Sequence, residues 1–302
     1  MDHSVLSLSL SALFDPSAMD LPYCDLLKKC EEVFKSLTIT NEQARNIEAS
    51  TRDQAQSKTW FHYRAGRITS SKFKAAAHTD LSQPSQSLIK CICYPESYRF
   101  STKATKWGCE HERTAREAYF HKVANSHLNL TITARGLVIH PEYPHLGASP
   151  DGYVKCDCCG CGVIEIKCAF SCKDRSFLEA IGEKNFCLDS FEDGNYTLKR
   201  QHAYFYQVQL QMKLCDVEFC DFVIWRSDEL VVNRIEQDDT FLLEAIDKAT
   251  NFYKYGILPE LVGKWYTAAS SGLSGQALSH GSALLPSPQA STGYCNCTAV
   301  VS

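Results

Sequence analysis

The chain has 302 residues, 44% of them apolar and 22% charged, with a formal net charge of −4. No apolar run approaches the ~18 residues that a membrane-spanning helix needs, and the length suits one large domain with tails. Sixteen cysteines would mark a disulfide scaffold in a short secreted chain. Here aliphatic and aromatic residues are plentiful, and the short apolar stretch at 6–14 lacks a basic leader. Reduced thiols in an intracellular compartment, the nucleus in a eukaryote, are therefore expected.

In chain order, residues 1–20 read as irregular. Leu26, Leu27, Cys30, Val33, Phe34 and Leu37 recur at helical spacing and predict a helix over 23–37. Thr40 followed by Gln43 reads as a capping box opening a second helix to about residue 50. A third helix is expected from Ser70 through Ala77, then a polar loop around 83–87 and a helix over 108–121. Strand-like runs follow at 135–140, 152–155, 163–168, 218–225 and 229–235. Helices are expected at 199–214 and 239–255, the latter opening after the N-cap pair Asp238-Asp239. Strands alternating with helices, after helices massed at the start, describe an α/β fold. From about 267 onward Ser, Gly, Ala and Pro dominate, which predicts a disordered tail over 267–302.

The chemistry concentrates between Ser149 and Lys167. Ser149-Pro150-Asp151-Gly152 places an acid in a turn, and fourteen residues later Glu165 and Lys167 lie two apart on the β-branched run Val163-Ile164-Glu165-Ile166-Lys167. In a strand, Glu165 and Lys167 share one face. A hairpin between the two motifs returns Asp151 beside Glu165, so that two carboxylates and an ammonium surround one point. Such a constellation suits a hard divalent cation and a phosphodiester. Taken singly, Pro-Asp-Gly is a common turn and Glu-Ile-Lys an edge strand with a solvated ion pair.

Together these motifs resemble the PD-(D/E)XK nuclease core, and Gly-Ala-Ser-Pro-Asp-Gly followed by Ile-Glu-Ile-Lys-Cys resembles its YqaJ-type viral recombinase branch, relatives of phage lambda exonuclease. Three further motifs are similar to that family's. Trp60 precedes Arg64-Ala65-Gly66-Arg67-Ile68-Thr69-Ser70-Ser71; Trp107-Gly108-Cys109-Glu110-His111-Glu112 resembles its helix signature; Gln207-Val208-Gln209 resembles its Gln-Val-Gln helix. The resemblance implies a central mixed β-sheet flanked by helices, a helical N-terminal segment at 1–54 and a nuclease domain at 55–266.

The resemblance also implies roles. Asp151, Glu165 and the Ile166 carbonyl would ligate Mg²⁺, with Mn²⁺ as the expected substitute, and Glu112 would complete the metal site. Lys167 would orient or deprotonate the attacking water, and Gln207 would contact the site. On pattern alone Glu112 is no better a candidate than Glu110, and Gln207 no better than a polar position beside Gln211. Arg64, Ser71, Ser149 and Lys173 resemble a pocket for a 5′-terminal phosphate. Lys173 stands where the family tends to carry Arg, and Ala169 where it often has Pro.

The expected activity is Mg²⁺-dependent hydrolysis of DNA from linear duplex ends, 5′ to 3′, in recombination or mobile-element processing. A homo-oligomer and a single-strand annealing or recombination protein are candidate associates. A non-catalytic DNA-end-binding protein, a zinc-stabilised interaction module and a sequence-specific endonuclease sharing the core are the alternatives. The net charge neither requires nor excludes DNA, since Arg64, Arg67, Lys72 and Lys74 cluster where acids are absent.

The hairpin itself carries Cys156-Asp157-Cys158-Cys159-Gly160-Cys161. Four thiolates in six residues could bind zinc, with Cys168 or Cys172 completing the site. So tight a turn closes poorly around a tetrahedron, so an accessible thiol-rich turn in a reducing compartment is the expectation and zinc the alternative. Cys295 and Cys297 in the tail form one more thiol pair.

Overall fold

A computed structural model describes residues 8–98, 102–191 and 194–268. The expected tail lies outside the described residues from 269 onward, Cys295 and Cys297 included; residues 267 and 268 close a short helix, Trp265–Ala268. No helix among the described residues is long and apolar enough to cross a membrane.

The N-terminal helices form as their caps and spacing dictate. Helix α1 (Tyr23–Ser36) buries Leu26 and Cys30, and α2 (Asn41–Ser50) opens on the capping box, in which the Gln43 amide N–H donates to Thr40 Oγ1 at 3.2 Å and the Thr40 amide N–H to Gln43 Oε1 at 2.8 Å. Helix α3 (Lys58–Arg64) leads into β1 (Ile68–Thr69), a 3₁₀ turn at Ser70–Lys72 and α4 (Phe73–Ala77). Two further helices follow, α5 (Gln86–Cys93) and the long α6 (Lys103–Val123).

The central sheet has five strands in the order β2-β4-β5-β8-β9. They are β2 (Thr131–Thr133), β4 (Gly152–Cys156), β5 (Gly160–Cys168), β8 (Phe219–Arg226) and β9 (Glu229–Glu236). All pairings are antiparallel except β5 with β8, where Glu165 stands opposite Phe222 and Lys167 opposite Ile224. Two small ladders lie outside it: β1 pairs with β3 (Leu146–Gly147), and β6 (Leu188–Ser190) with β7 (Tyr196–Leu198).

Both sheet faces are covered. Ile164 and Ile166 of β5 pack with Ala115 and Tyr119 of α6 on one side. On the other, Val163 packs with Phe177 of the short α7 (Phe177–Ala180) and with Val208 and Met212 of α8 (Ala203–Cys215). The outer face of α8, through Leu210 and Leu214, joins the core formed by α1, α5 and α9 (Asp239–Phe252). Helix α9 starts as expected, with the Phe241 amide N–H donating to Asp238 Oδ1 at 3.0 Å, but after Phe252 it passes into a π-helical turn over Tyr253–Ile257.

The strand expected at 135–140 does not form. Two of its backbone donors turn to the C-terminal end of α2 and the residue after it: the Gly136 amide N–H donates to Glu48 Oε1 at 3.0 Å and that of Leu137 to Thr51 Oγ1 at 2.8 Å. A Cβ at Gly136 would stand 2.0 Å from the Glu48 carbonyl, so only glycine permits this approach. One isolated bridge, Val138 to Ala148, remains of the expected strand.

Candidate active site

Strand β4 leaves the edge of β5 at the pair Gly152–Ile164, and the gap beyond that pair holds the acids. The Asp151 amide N–H donates to the Ile164 carbonyl at 3.1 Å, and Asp151 Oδ2 accepts from the Ile166 amide at 2.6 Å. Alternate residues of a strand turn their N–H and C=O to the same edge. The Ile166 carbonyl therefore opens along the same edge as Asp151, past the last partner that β4 offers.

Glu165 points to the α8 side and is 2% exposed. Three donors surround its carboxylate: Lys167 Nζ at 2.5 Å and Gln207 Nε2 at 2.6 Å on Oε1, and Gln211 Nε2 at 2.6 Å on Oε2. Gln207 and Gln211 lie one helical turn apart, so both amides fall on the stripe of α8 that faces β5. The Lys167 ammonium also stands 4.8 Å from the centre of the Tyr204 ring.

A cavity of about 540 Å³ opens here, lined among others by Asp151, Ile166, Lys167, Glu112 and Tyr204. Glu112 reaches it from α6, on the opposite side of the sheet from α8, and pairs with Arg116 at 3.1 Å. Glu110, indistinguishable from Glu112 in the sequence, lines a different cavity. Burial, then the charge of Glu165, raises the Asp151 carboxyl well above its ordinary range, with Glu112 adding to the rise. Burial disfavours the Lys167 ammonium, but Glu165, Tyr204 and Asp151 outweigh it, and its pKa stands above the usual lysine value.

Two acids crowded at one point with a raised carboxyl pKa are held apart from water at a cost that a divalent cation would relieve. Asp151, the Ile166 carbonyl, Glu165 and Glu112 are all oxygen donors, the set that Mg²⁺ prefers. The residues therefore fit such an ion.

The second group of sequence candidates gathers around Trp60. Its indole N–H donates to Ser149 Oγ at 3.0 Å, and the Arg64 guanidinium lies 3.9 Å from the ring centre. Arg64 Nη2 reaches Thr69 Oγ1 at 3.4 Å, and Thr69 Oγ1 lies 3.3 Å from Ser71 Oγ. Among the described residues Arg64 Nε is buried without a partner. Burial lowers the Arg64 pKa to about 10, which leaves it a cation at neutral pH.

Arg64, Trp60 and Lys72 line a cavity that shares Thr105 and Cys109 of α6 with the cavity of the acids. The first turns of α6 are thus a common wall. Lys173 is not part of this group. It follows the 3₁₀ turn after β5, pairs with Asp174 at 3.3 Å and lies 5.6 Å from the Phe170 ring, which lines the acid cavity.

Sequence reasoning missed Gln211, which holds Glu165 as closely as Gln207 does, and Tyr204 beneath Lys167. Their one signal was the i, i+3 and i+4 spacing around Gln207, legible only once the helix face toward β5 is known.

Comparison with known proteins agrees with this architecture. The alkaline exonuclease LHK-Exo of Laribacter hongkongensis, in complex with dAMP, superposes with a TM-score of 0.51 at 23% identity, covering 72% of this chain and all of that one. The shutoff and exonuclease protein SOX of Kaposi's sarcoma-associated herpesvirus, in its RNA complex, gives 0.54 at 14% identity, covering 90% and 98%. Likeness at these identities speaks for the fold, a PD-(D/E)XK core with a central mixed sheet between helices. No curated protein matches the chain in sequence. A family model does: the YqaJ-like viral recombinase domain matches residues 59–218, just over half of the chain and the whole span from Trp60 to β8. The chain belongs to the family of YqaJ-like viral recombinase domains.

Proposed function

We propose that this chain is a Mg²⁺-dependent DNA nuclease that degrades linear duplex from a 5′ end, in recombination or mobile-element DNA processing. The observation that carries the reading is the convergence of Asp151, Lys167 and Glu112 on one open cavity, with the buried Glu165 bonded to Lys167 behind it, inside a YqaJ-type fold. Structures of relatives in fold that hold DNA, RNA or dAMP support a nucleic-acid substrate.

Asp151, Glu165, the Ile166 carbonyl and Glu112 would hold the metal. A bound Mg²⁺ supplies charge neutralisation at the scissile phosphate and lowers the pKa of a nearby water. Lys167 orients the attacking water toward the phosphorus and offsets charge gathering on the phosphate oxygens. Gln207 and Gln211 fix the Glu165 carboxylate so that it does not swing with each turnover. Arg64, with Ser71 and Ser149, holds the terminal phosphate across the α6 wall, and Lys173 meets the strand at the rim.

The test is digestion of end-labelled linear duplex and of covalently closed circular duplex, each with Mg²⁺ or with chelator. Release of mononucleotides from the linear form, in Mg²⁺ alone, is expected. Equal cutting of the circle would leave a nuclease but remove the end-dependent reading. Absence of cutting with DNA still bound would favour an end-binding protein.

A further inference from the structure

The turn between β4 and β5 lies far along the hairpin from the acids, and its thiols have no part in the chemistry above. The last pair of the hairpin is Cys156–Gly160, so Asp157, Cys158 and Cys159 form the turn itself. Gly160 closes it at φ +77°, where a side chain would be strained. The turn is docked onto the segment between α6 and β2. The Asp157 amide N–H donates to the Leu128 carbonyl at 2.9 Å, and Asn129 Nδ2 donates to Asp157 Oδ2 at 2.7 Å. This docking brings His127 over the thiols.

His127 Nδ1 stands 3.2 Å from Cys158 Sγ and 3.5 Å from each of Cys156 Sγ and Cys159 Sγ. Cys158 Sγ lies 3.4 Å from Cys156 Sγ and 3.7 Å from Cys159 Sγ. All four atoms fall within 4.8 Å of one another. A tetrahedral zinc with Zn–S near ~2.3 Å and Zn–N near ~2.05 Å has S···S edges of about 3.8 Å and S···N edges of about 3.6 Å. The five edges given above fall short of these by a few tenths of an ångström at most, and the sixth, Cys156 Sγ to Cys159 Sγ, is within 4.8 Å. The backbone supports the same arrangement, since the Cys159 amide N–H is aimed at Cys156 Sγ at 3.3 Å, a donor suited to a thiolate.

We infer that His127, Cys156, Cys158 and Cys159 form a structural Cys₃His zinc site that staples the active-site hairpin to the end of α6. Four protein ligands leave no open position, so the site is structural and not a second reaction centre. The objection that a tight thiol turn closes poorly around a tetrahedron is met by His127, which comes from 29 residues upstream of Cys156. The expected alternatives do not join in: Cys168 lines the acid cavity, Cys172 is buried under β5, and Cys161 lies outside the cluster.

The site ties together the two elements that carry the acids. Glu112 is on α6, while Asp151 and Glu165 flank the hairpin, so fixing the turn limits how far those carboxylates can move apart. The inference is independent of the nuclease reading, because it is read from metal content and not from activity.

The full chain, produced without a histidine tag and dialysed against a weak chelator, should retain about one zinc per chain by mass spectrometry of the metal. Replacement by Co²⁺ should give the strong visible bands of a tetrahedral thiolate site. His127→Ala and Cys158→Ser should lower retained zinc at least tenfold and lose those bands. Cys161→Ser and Asp151→Asn should keep both. Zinc absent from the wild type, zinc retained equally by His127→Ala and Cys158→Ser, or thiol titration showing Cys156 and Cys158 oxidised to a disulfide in the zinc-supplied protein would each overturn the assignment. Should His127→Ala or Cys158→Ser not fold, the wild-type and Cys161→Ser cobalt spectra decide it alone.

Discussion

Gln211 Nε2 donates to Glu165 Oε2 across 2.6 Å, completing a carboxylate whose other oxygen is held by Gln207 and Lys167. A hydrogen bond to a charged group contributes roughly 1.5–3 kcal/mol. Gln211→Leu should therefore reduce turnover by about ten- to a hundredfold and raise the Mg²⁺ concentration for half-maximal activity, as should Gln207→Leu. A Mg²⁺ titration of initial rates checks this. Loss of rate with an unmoved Mg²⁺ midpoint would place the two amides in folding and not in holding the ligand.

The two acids should differ in what their removal does to stability. Asp151→Asn keeps an oxygen for the Ile166 amide and deletes a charge that burial and Glu165 oppose. Because the folded pKa of Asp151 is raised, the wild type loses stability as pH climbs from the unfolded value of about 3.8 toward the folded one, and the Asn variant should not. In chelator at neutral pH, Asp151→Asn should melt above wild type, and in Mg²⁺ it should hydrolyse nothing. Glu165→Ala should melt well below it, because Lys167, Gln207 and Gln211 lose their common acceptor. The expected cost is about 3 kcal/mol, the low end for a broken buried pair, since a quarter of the Lys167 side chain stays exposed. Calorimetry of both variants is the check; hydrolysis by either near the wild-type rate would end the metal-nuclease reading.

The proposed end recognition assigns the terminal phosphate to Arg64, whose cationic plane stands on Trp60 and whose Nε has no partner among the described residues. Ser149 Oγ already accepts from the Trp60 indole, which leaves its hydrogen to donate outward. Linear duplex with a 5′-phosphate should be degraded about ten- to a hundredfold faster than the 5′-hydroxyl form, the yield of one charge-assisted contact. Arg64→Ala should erase that preference and leave slow cleavage, while Lys173→Arg, set apart from Arg64 beside Asp174 and Phe170, should leave the preference unchanged. Equal wild-type rates on the two ends would remove the pocket while leaving the metal site untouched.

His145 gives the fold a pH dependence away from the acids. It is 3% exposed and bonded through Nε2 to Thr250 Oγ1 at 3.0 Å; burial, with Lys254 and Arg67 adding to it, lowers its pKa to about 3. The folded imidazole is thus neutral where the unfolded one, at about 6.5, takes up a proton. Stability should be whole above pH 6.5 and decline as pH falls toward the folded value, by about 2 kcal/mol at pH 5. His145→Gln should flatten that part of the profile. Denaturant melts of both proteins between pH 7 and 5 measure it, and parallel profiles would sink the assignment.

The alternation of Val163-Ile164-Glu165-Ile166-Lys167 determined by itself that an acid and a lysine share one face of a strand, because period 2 is a property of the backbone. The capping box at Thr40 and the Asp238 cap were equally local, each set by side-chain donors within a few residues. The PD-(D/E)XK fold was legible through motifs spread over the chain. Long-range packing was not. Residues 135–140 carry a strand pattern, yet Glu48 and Thr51, more than eighty residues earlier, take their amides. Which of Glu110 and Glu112 faces the acids depends on the rotation of α6 against β5, and only tertiary contacts decide that. Gln211 became a partner of Glu165, and His127 a neighbour of Cys156, Cys158 and Cys159, for the same reason. The positions lie 46 and about 30 residues apart, and only the folded chain brings them together.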